Sequence, residues 1–165
     1  MLEGFTAKLA QMQKASGNGR ILALDVGKKR IGLALSDGLR LTAQGLETYQ
    51  RIRIREDLQR LTTLMREREV GTLLVGKPLH MSGSESRQSE YTREFANRLG
   101  EHAGIPVVYW DERLTSVEAE RMLREAGASL NERKGAVDRL AAVLLLESYL
   151  AFLAHKEQSV EGERA

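Results

Sequence analysis

The sequence predicts one α/β domain: a mixed five-stranded sheet flanked by helices, in the order βββαβαβαα. Three observations carry that expectation. Three short stretches that read as strands come first, at 20–25, 30–36 and 44–49, with a tight turn between the first two. Strand-like runs then alternate with helix-like stretches, the pattern of a parallel sheet. The last helical stretch is apolar on most faces, so it belongs in a buried position.

The elements follow in chain order. Residues 1–19 form an N-terminal extension. Leu2, Phe5, Leu9 and Met12 share one helical face, and Ser16-Gly17-Asn18-Gly19 breaks the pattern. A docking helix and a disordered arm both fit. The first two strands pair antiparallel across their turn, and the third completes a meander. A helix over 56–69 puts Leu58, Leu61 and Met65 on one face. Residues 70–76 read as a strand and 77–84 as a loop. Residues 85–103 read as a helix with Tyr91, Phe95 and Leu99 as its stripe. A strand at 106–110 follows. Thr115 and Glu118 fit a capping box that opens a helix at Ser116, which ends near Gly127. The polar run Asn131-Glu132-Arg133-Lys134-Gly135 reads as a connection before the last helix, 136–154. The main domain is thus 20–154, and 155–165 reads as a frayed polar tail.

Composition narrows the function. At 165 residues the chain is long enough for one sizeable core. It has no cysteine, which excludes disulfides, thiolate zinc sites and a cysteine nucleophile. No apolar stretch is long enough to span a bilayer, and the N-terminus lacks a signal-peptide core. A cytoplasmic protein with no membrane partner is expected. The formal net charge is only +2, so a nucleic-acid footprint must come from clustering. Arg51, Arg53 and Arg55 form one cluster, alternating with Ile52 and Ile54. They read as the solvent side of a strand end or loop.

Asp25 is the most informative residue. It ends the apolar run Ile21-Leu22-Ala23-Leu24, where a buried carboxylate is costly unless compensated. Gly27 follows two residues later, and Lys28, Lys29 and Arg30 crowd the turn. That arrangement suits a metal ion beside a phosphate; an ordinary hairpin with an Asp at its turn fits equally well. Glu112 and Asp111 follow the fifth strand. Asp138 opens the last helix, where the dipole alone would welcome it. The topology carries Asp25, Glu112 and Asp138 toward one sheet edge, where ligands of α/β sheets collect. With no cysteine and three histidines, hard carboxylate donors favour Mg²⁺ or Mn²⁺. Such a site suits phosphodiester hydrolysis by metal-activated water. Lys28, Lys29, Arg30, Lys77 and Arg113 are the expected phosphate contacts. His80, in the 77–84 loop, reads as a surface residue or a phosphate contact.

Four motifs then carry a resemblance. Asp25-Val-Gly-Lys-Lys-Arg-Ile-Gly-Leu-Ala34, Val75-Gly-Lys-Pro-Leu-His-Met-Ser-Gly83, Asp111-Glu-Arg-Leu-Thr-Ser-Val-Glu-Ala-Glu120 and Lys134-Gly-Ala-Val-Asp138 with Ala141-Ala142 and Glu147-Ser-Tyr-Leu150 stand in order across residues 20–150. They resemble the motifs of the YqgF/RuvX family of RNase H-like nucleases. The resemblance implies an RNase H-like fold, processing of the 5′ end of precursor 16S rRNA, and kinship with RuvC-type Holliday-junction resolvases. It implies Asp25, Glu112 and Asp138 as the metal-binding acids, with Asp111 a less favoured substitute for Glu112. Lys77 departs from the apolar residue expected between Gly76 and Pro78.

The leading reading is a metal-dependent endonuclease acting on structured RNA, as monomer or homodimer. A branched-DNA resolvase keeps the same fold. A non-catalytic, RNA-binding ribosome-assembly factor is a reading from another class. A nucleotide-binding relative of the actin and sugar-kinase group lacks support, because the chain has no second Asp-Gly-x-Gly hairpin.

Overall fold

The structure is a computed structural model and describes residues 19–77, 87–111, 121, 124–125, 127 and 130–164. Its strands are β1 (Arg20–Val26), β2 (Arg30–Ser36), β3 (Ala43–Gly45), β4 (Tyr49–Gln50), β5 (Val70–Lys77) and β6 (Val107–Asp111). Its helices are α1 (Ile54–Glu67), α2 (Arg87–Ala103) and α3 (Leu130–Arg164). They form one mixed sheet in the order β3-β2-β1-β5-β6, with β4 also paired to β2. The pair β1–β2 is antiparallel, while β1–β5 and β5–β6 are parallel. The meander and the parallel half stand as the sequence predicts.

Alternation along β1 sorts the core into two layers. Leu22, Leu24 and Val26 join Leu33, Leu35, Leu73 and Val75 beneath α1 and α2. Leu58, Leu61, Met65, Phe95 and Leu99 close that layer. Ile21, Ala23, Ala34 and Leu74 face the other way, against Ala142, Leu145, Leu146 and Leu150 of α3. A sheet covered on both faces explains why β1 and β5 read as continuous apolar runs rather than alternating ones.

The α3 layer is built for close approach. After Ile21, its side of β1 and β2 carries Ala23, Gly32 and Ala34, whereas the opposite side carries leucines, an isoleucine and a valine. At Gly32 the helix backbone comes so near that a Cβ would lie 1.9 Å from the Asp138 carbonyl oxygen. Lateral fixing comes from Trp110, whose Nε1 donates to Ser148 Oγ at 3.1 Å. Its ring packs against Tyr149 and Phe152, with centroids at 5.3 and 5.1 Å.

Several boundaries differ from the sequence reading. The third strand is split into β3 and β4, so the sheet has six strands. Between them the Leu46 N–H still donates to Leu33 O at 2.9 Å. Tyr91 is not part of the buried stripe of α2; it is 40% exposed, while Phe95 and Leu99 are buried. The last helix starts at Leu130 and continues to Arg164, so the expected connection and most of the expected frayed tail are helical. Most of the helix expected from Ser116 lies outside the described residues. Arg124 and Glu125 are helical, and the Gly127 N–H closes on Arg124 O at 3.1 Å. Residues 1–18 also lie outside the description. No helix among the described residues is long and apolar enough to cross a membrane.

Arg51 departs furthest from expectation. Arg53 does face solvent, with 79% of its side chain exposed. The Arg51 side chain is only 9% exposed. It donates to the buried Asp57 carboxylate at 3.3 Å and to Gly27 O at 3.2 Å, and its guanidinium lies 4.6 Å from the Phe95 ring centroid. Asp57, 1% exposed, also accepts from the Tyr49 hydroxyl at 2.8 Å and the Ile52 N–H at 3.0 Å. Burial, reinforced by that carboxylate, pushes the Tyr49 phenol up to about 12.

Gly32→Ala tests the α3 contact. Its methyl meets helix backbone, which cannot rotate away, so urea denaturation should show a loss of about 3 kcal/mol, the upper part of the overpacking range. Gly45→Ala meets the Arg139 side chain at 2.8 Å instead, which can swing aside, and should cost much less.

Candidate active site

The site begins where β1 ends. Asp25 shares the α3 face with Ile21 and Ala23, and it is partly buried. Its register partner on β2 is Gly32. The space a Gly32 side chain would take is filled by the backbone of Asp138. The two acids therefore flank one glycine, 113 residues apart in the chain. Arg30, also on β2, donates from Nε to Asp138 Oδ2 at 3.0 Å. Their side chains are 37% and 24% exposed, so the pair stands at the boundary with water.

Asp138 does not sit at a helix N-terminus. Helix α3 begins at Leu130, eight residues earlier. The favourable field of a helix end fades within the first turn, so the dipole does not account for a carboxylate here. Burial pushes the Asp138 carboxyl above its ordinary value, and the charge and hydrogen bond of Arg30 pull it partly back. Asp138 is thus an acid whose surroundings under-compensate its charge. That is the condition of a carboxylate that a cation would stabilise.

The turn between β1 and β2 is fixed from several sides. The Gly27 N–H donates to Arg30 O at 2.8 Å. A Cβ on Gly27 would meet that same oxygen at 2.7 Å, so crowding within the turn demands glycine. The Arg51 N–H donates to Lys29 O at 2.9 Å, and Gln88 Nε2 to Val26 O at 3.3 Å. Lys28 and Lys29 themselves are exposed. Sequence reasoning missed Arg51 and Gln88 as supports of this turn. Neither carries a local signal, because the partners lie 24 and 62 residues away.

The other expected residues divide. Lys77 and Asp111 are register partners at the carboxyl ends of β5 and β6. Strand alternation aligns them with Leu73 and Val75 and with Val107 and Tyr109, on the α1–α2 face. Asp111 is therefore not a substitute for Glu112 beside Asp25, and Lys77 lies across the sheet from Asp138. Glu112, Arg113 and His80 lie outside the described residues. Among the described residues no group of three His, Cys, Asp or Glu side chains forms a metal cage. Asp25 and Asp138 offer hard oxygen donors that suit Mg²⁺ or Mn²⁺, and a complete coordination set needs further ligands.

Known proteins decide the family. The sequence model of the RuvX family, described as Holliday junction resolvase, matches residues 19–152. The chain belongs to the RuvX family. It is 51% identical over 133 residues to a protein of Koribacter versatilis (strain Ellin345), covering 81% of this chain and 87% of the relative. A protein of Syntrophus aciditrophicus (strain SB) is 46% identical over 138 residues, covering 84% and 92%. One from Clostridioides difficile (strain 630) is 43% identical over 135 residues, covering 82% and 96%. Each of the three is named as a candidate pre-16S rRNA nuclease. Among solved structures, Fowlpox virus resolvase in complex with Holliday junction DNA superposes with a TM-score of 0.51 at 14% identity. The match covers 81% of this chain and 98% of that one. The fold of this RuvX protein is the RNase H-like one its motifs imply.

The state of Asp138 has a measurable consequence in metal-free protein. A carboxyl raised on folding binds its proton more tightly when folded than when unfolded. Stability is then greatest below the ordinary carboxyl pKa, falls as pH rises through the raised value, and stays reduced at neutral pH. In excess chelator, Asp138→Asn should melt above the wild type at pH 7, and the gap should close as the pH is brought below the ordinary carboxyl range.

Proposed function

We propose that this nuclease of the RuvX family is a metal-dependent endonuclease of structured RNA. The reading extends to the 5′ end of precursor 16S rRNA as its cytoplasmic substrate. The observation that carries it is the meeting of Asp25 and Asp138 around Gly32, at the carboxyl end of β1 and beside a cationic turn. The names of the three relatives favour RNA over DNA.

In this reading Asp25, Glu112 and Asp138 hold Mg²⁺ or Mn²⁺. Asp111 aligns with the α1–α2 face, which leaves Glu112 as the favoured third acid of this reading. Carboxylates alone repel a phosphodiester. A divalent ion held by these acids would reverse the sign of the site, lower the pKa of water and offset charge on the leaving oxygen. The chain's own cations do the rest of the holding: Arg30 beside Asp138, with Lys28 and Lys29 on the turn, attract the flanking phosphates. Lys77 and Arg113 would extend that surface along the strand ends. In this reading water attacks phosphorus directly as the bond to the leaving oxygen breaks, the attacking water gives up a proton to solvent, the leaving oxygen takes one from solvent, and no covalent enzyme intermediate forms. Residues 20–154 form the catalytic domain in this reading, with 1–19 and 155–165 outside it, and the protein acts as a monomer or homodimer.

The test is cleavage of precursor 16S rRNA and of a four-way DNA junction by highly purified protein. RNA should be cut in Mg²⁺ or Mn²⁺, not in chelator, and activity should return on adding metal. Asp25→Asn and Asp138→Asn should each lose more than the ~10–100-fold that removing an orienting partner costs. His80→Ala should lose much less. RNA affinity should fall steeply with salt and less steeply after neutralising Lys28 and Lys29. Full cleavage in excess chelator would overturn the metal assignment. Preferential cutting of the junction would move the substrate to DNA.

A further inference from the structure

A second feature adjoins the turn that carries Lys28 and Lys29, on the face of the sheet away from Asp138. Arg51, Ile54, Tyr91, Glu94, Phe95 and Arg98 line an open cleft of about 290 Å³. That is near the lower end of the ~300–1,000 Å³ typical of small-ligand sites, the scale of a single nucleotide. Arg51 is the lining residue that links the cleft to the turn. Arg51 reaches the cleft with its guanidinium and donates to Gly27 O, two residues beyond Asp25.

The wall of the cleft is an aromatic platform held in place. Arg51 Nη1 donates to the Tyr91 hydroxyl, and its guanidinium lies 5.3 Å from the Tyr91 ring centroid. Phe95, beneath, is 3% exposed and packs on the same guanidinium. Tyr91 is nevertheless 40% exposed. A large ring fixed by an arginine yet open to water is poorly explained by core packing. It matches the platform on which proteins stack unpaired bases, with guanidinium groups alongside. Arg98, exposed one helical turn beyond Glu94, adds a cation at the rim.

We propose that this cleft binds an unpaired nucleotide of the RNA strand adjoining the cleaved phosphate, with its base stacked on Tyr91 and its phosphate near Arg98. The proposal rests on the reading of this chain as a structured-RNA nuclease. It makes the protein a reader of helix-to-single-strand boundaries: the carboxylates take the phosphodiester on one side of the turn, and Tyr91 takes the loose base on the other.

The experiment uses the full-length protein in chelator, so that RNA stays intact. Short RNA duplexes are compared blunt or with single-stranded extensions on either end, carrying 2-aminopurine at each unpaired position in turn. The extension should tighten binding, and one position should show quenched fluorescence on complex formation. Tyr91→Ala should abolish the quench and weaken binding of the extended duplex roughly 5- to 100-fold, and weaken the blunt duplex much less. Tyr91→Phe keeps the ring and should keep the quench. Arg98→Ala, at an exposed position, should weaken only the extended duplex, so the proposal remains testable if Tyr91→Ala folds poorly. Equal binding of blunt and extended RNA, or a quench that survives Tyr91→Ala, would overturn the subsite and leave the nuclease reading standing. Binding of a four-way DNA junction with no binding of either RNA would overturn both.

Discussion

The close contact between α3 and β2 at Gly32 is the constraint on which the rest of the structure depends. Residue 32 must lack a side chain because the helix backbone occupies its place. Ala23 and Ala34 keep the neighbouring surface low, so α3 can lie flat on the sheet along Ala142, Leu145 and Leu146. Larger residues here would lift the helix and separate Asp138 from the end of β1. The same glycine that sets helix depth therefore sets the spacing of two acids. Packing and chemistry cannot be varied independently at this point, because interiors at native density transmit displacements of tenths of an ångström.

The opposite face obeys a different logic. There α1 and α2 stand off on bulky Leu22, Leu24, Leu33 and Leu73, and the layer is thick enough to hide an ion pair at its edge. Asp57 and Arg51 are both nearly buried, and each satisfies the other as well as backbone groups nearby. A buried pair is weak evidence for stability, since desolvation offsets much of the attraction. Its geometry gives it another role. The arginine ties Gly27 and Lys29 to α1 and α2, so the turn that carries Lys28 and Lys29 is anchored to the rigid core.

Much of this was legible in the chain. A carboxylate ending an apolar run, then a glycine and three cations, draws attention to Asp25, although an ordinary hairpin fits that order equally well; the approach of Asp138 to its neighbour Gly32 is seen only in the fold. The alternation of strands and helices fixed the parallel half of the sheet, and Leu58, Leu61 and Met65 showed the buried face of α1. The start of α3 was not legible. Asn131-Glu132-Arg133-Lys134-Gly135 reads as a loop because it is polar and ends in glycine. Yet Glu, Arg and Lys are good helix formers, and one interior glycine costs only about 1 kcal/mol relative to alanine. That error mattered, since it gave Asp138 a helix-end explanation that it does not need. Arg51 was illegible for another reason. Whether an arginine in a charged run faces water depends on where Asp57, Gly27 and Tyr91 come to lie, and no local pattern encodes that.

In the proposed reading the two faces divide the work of handling a polyanion in a way that follows from electrostatics. Carboxylates that must hold a cation cannot also attract a bare phosphate, so cations have to stand close without neutralising the metal ligands. In the proposed reading Arg30 would meet this need at the boundary with water, where its bond to Asp138 is solvent-screened and open to exchange for a phosphate oxygen. Arg51 is placed differently, because its side chain is only 9% exposed and its bonds to Asp57 and Gly27 O hold the turn. The depth of an arginine thus separates two jobs that sequence alone leaves indistinguishable: the shallow one is available to a ligand, and the deep one fixes the loop on which the ligand must land.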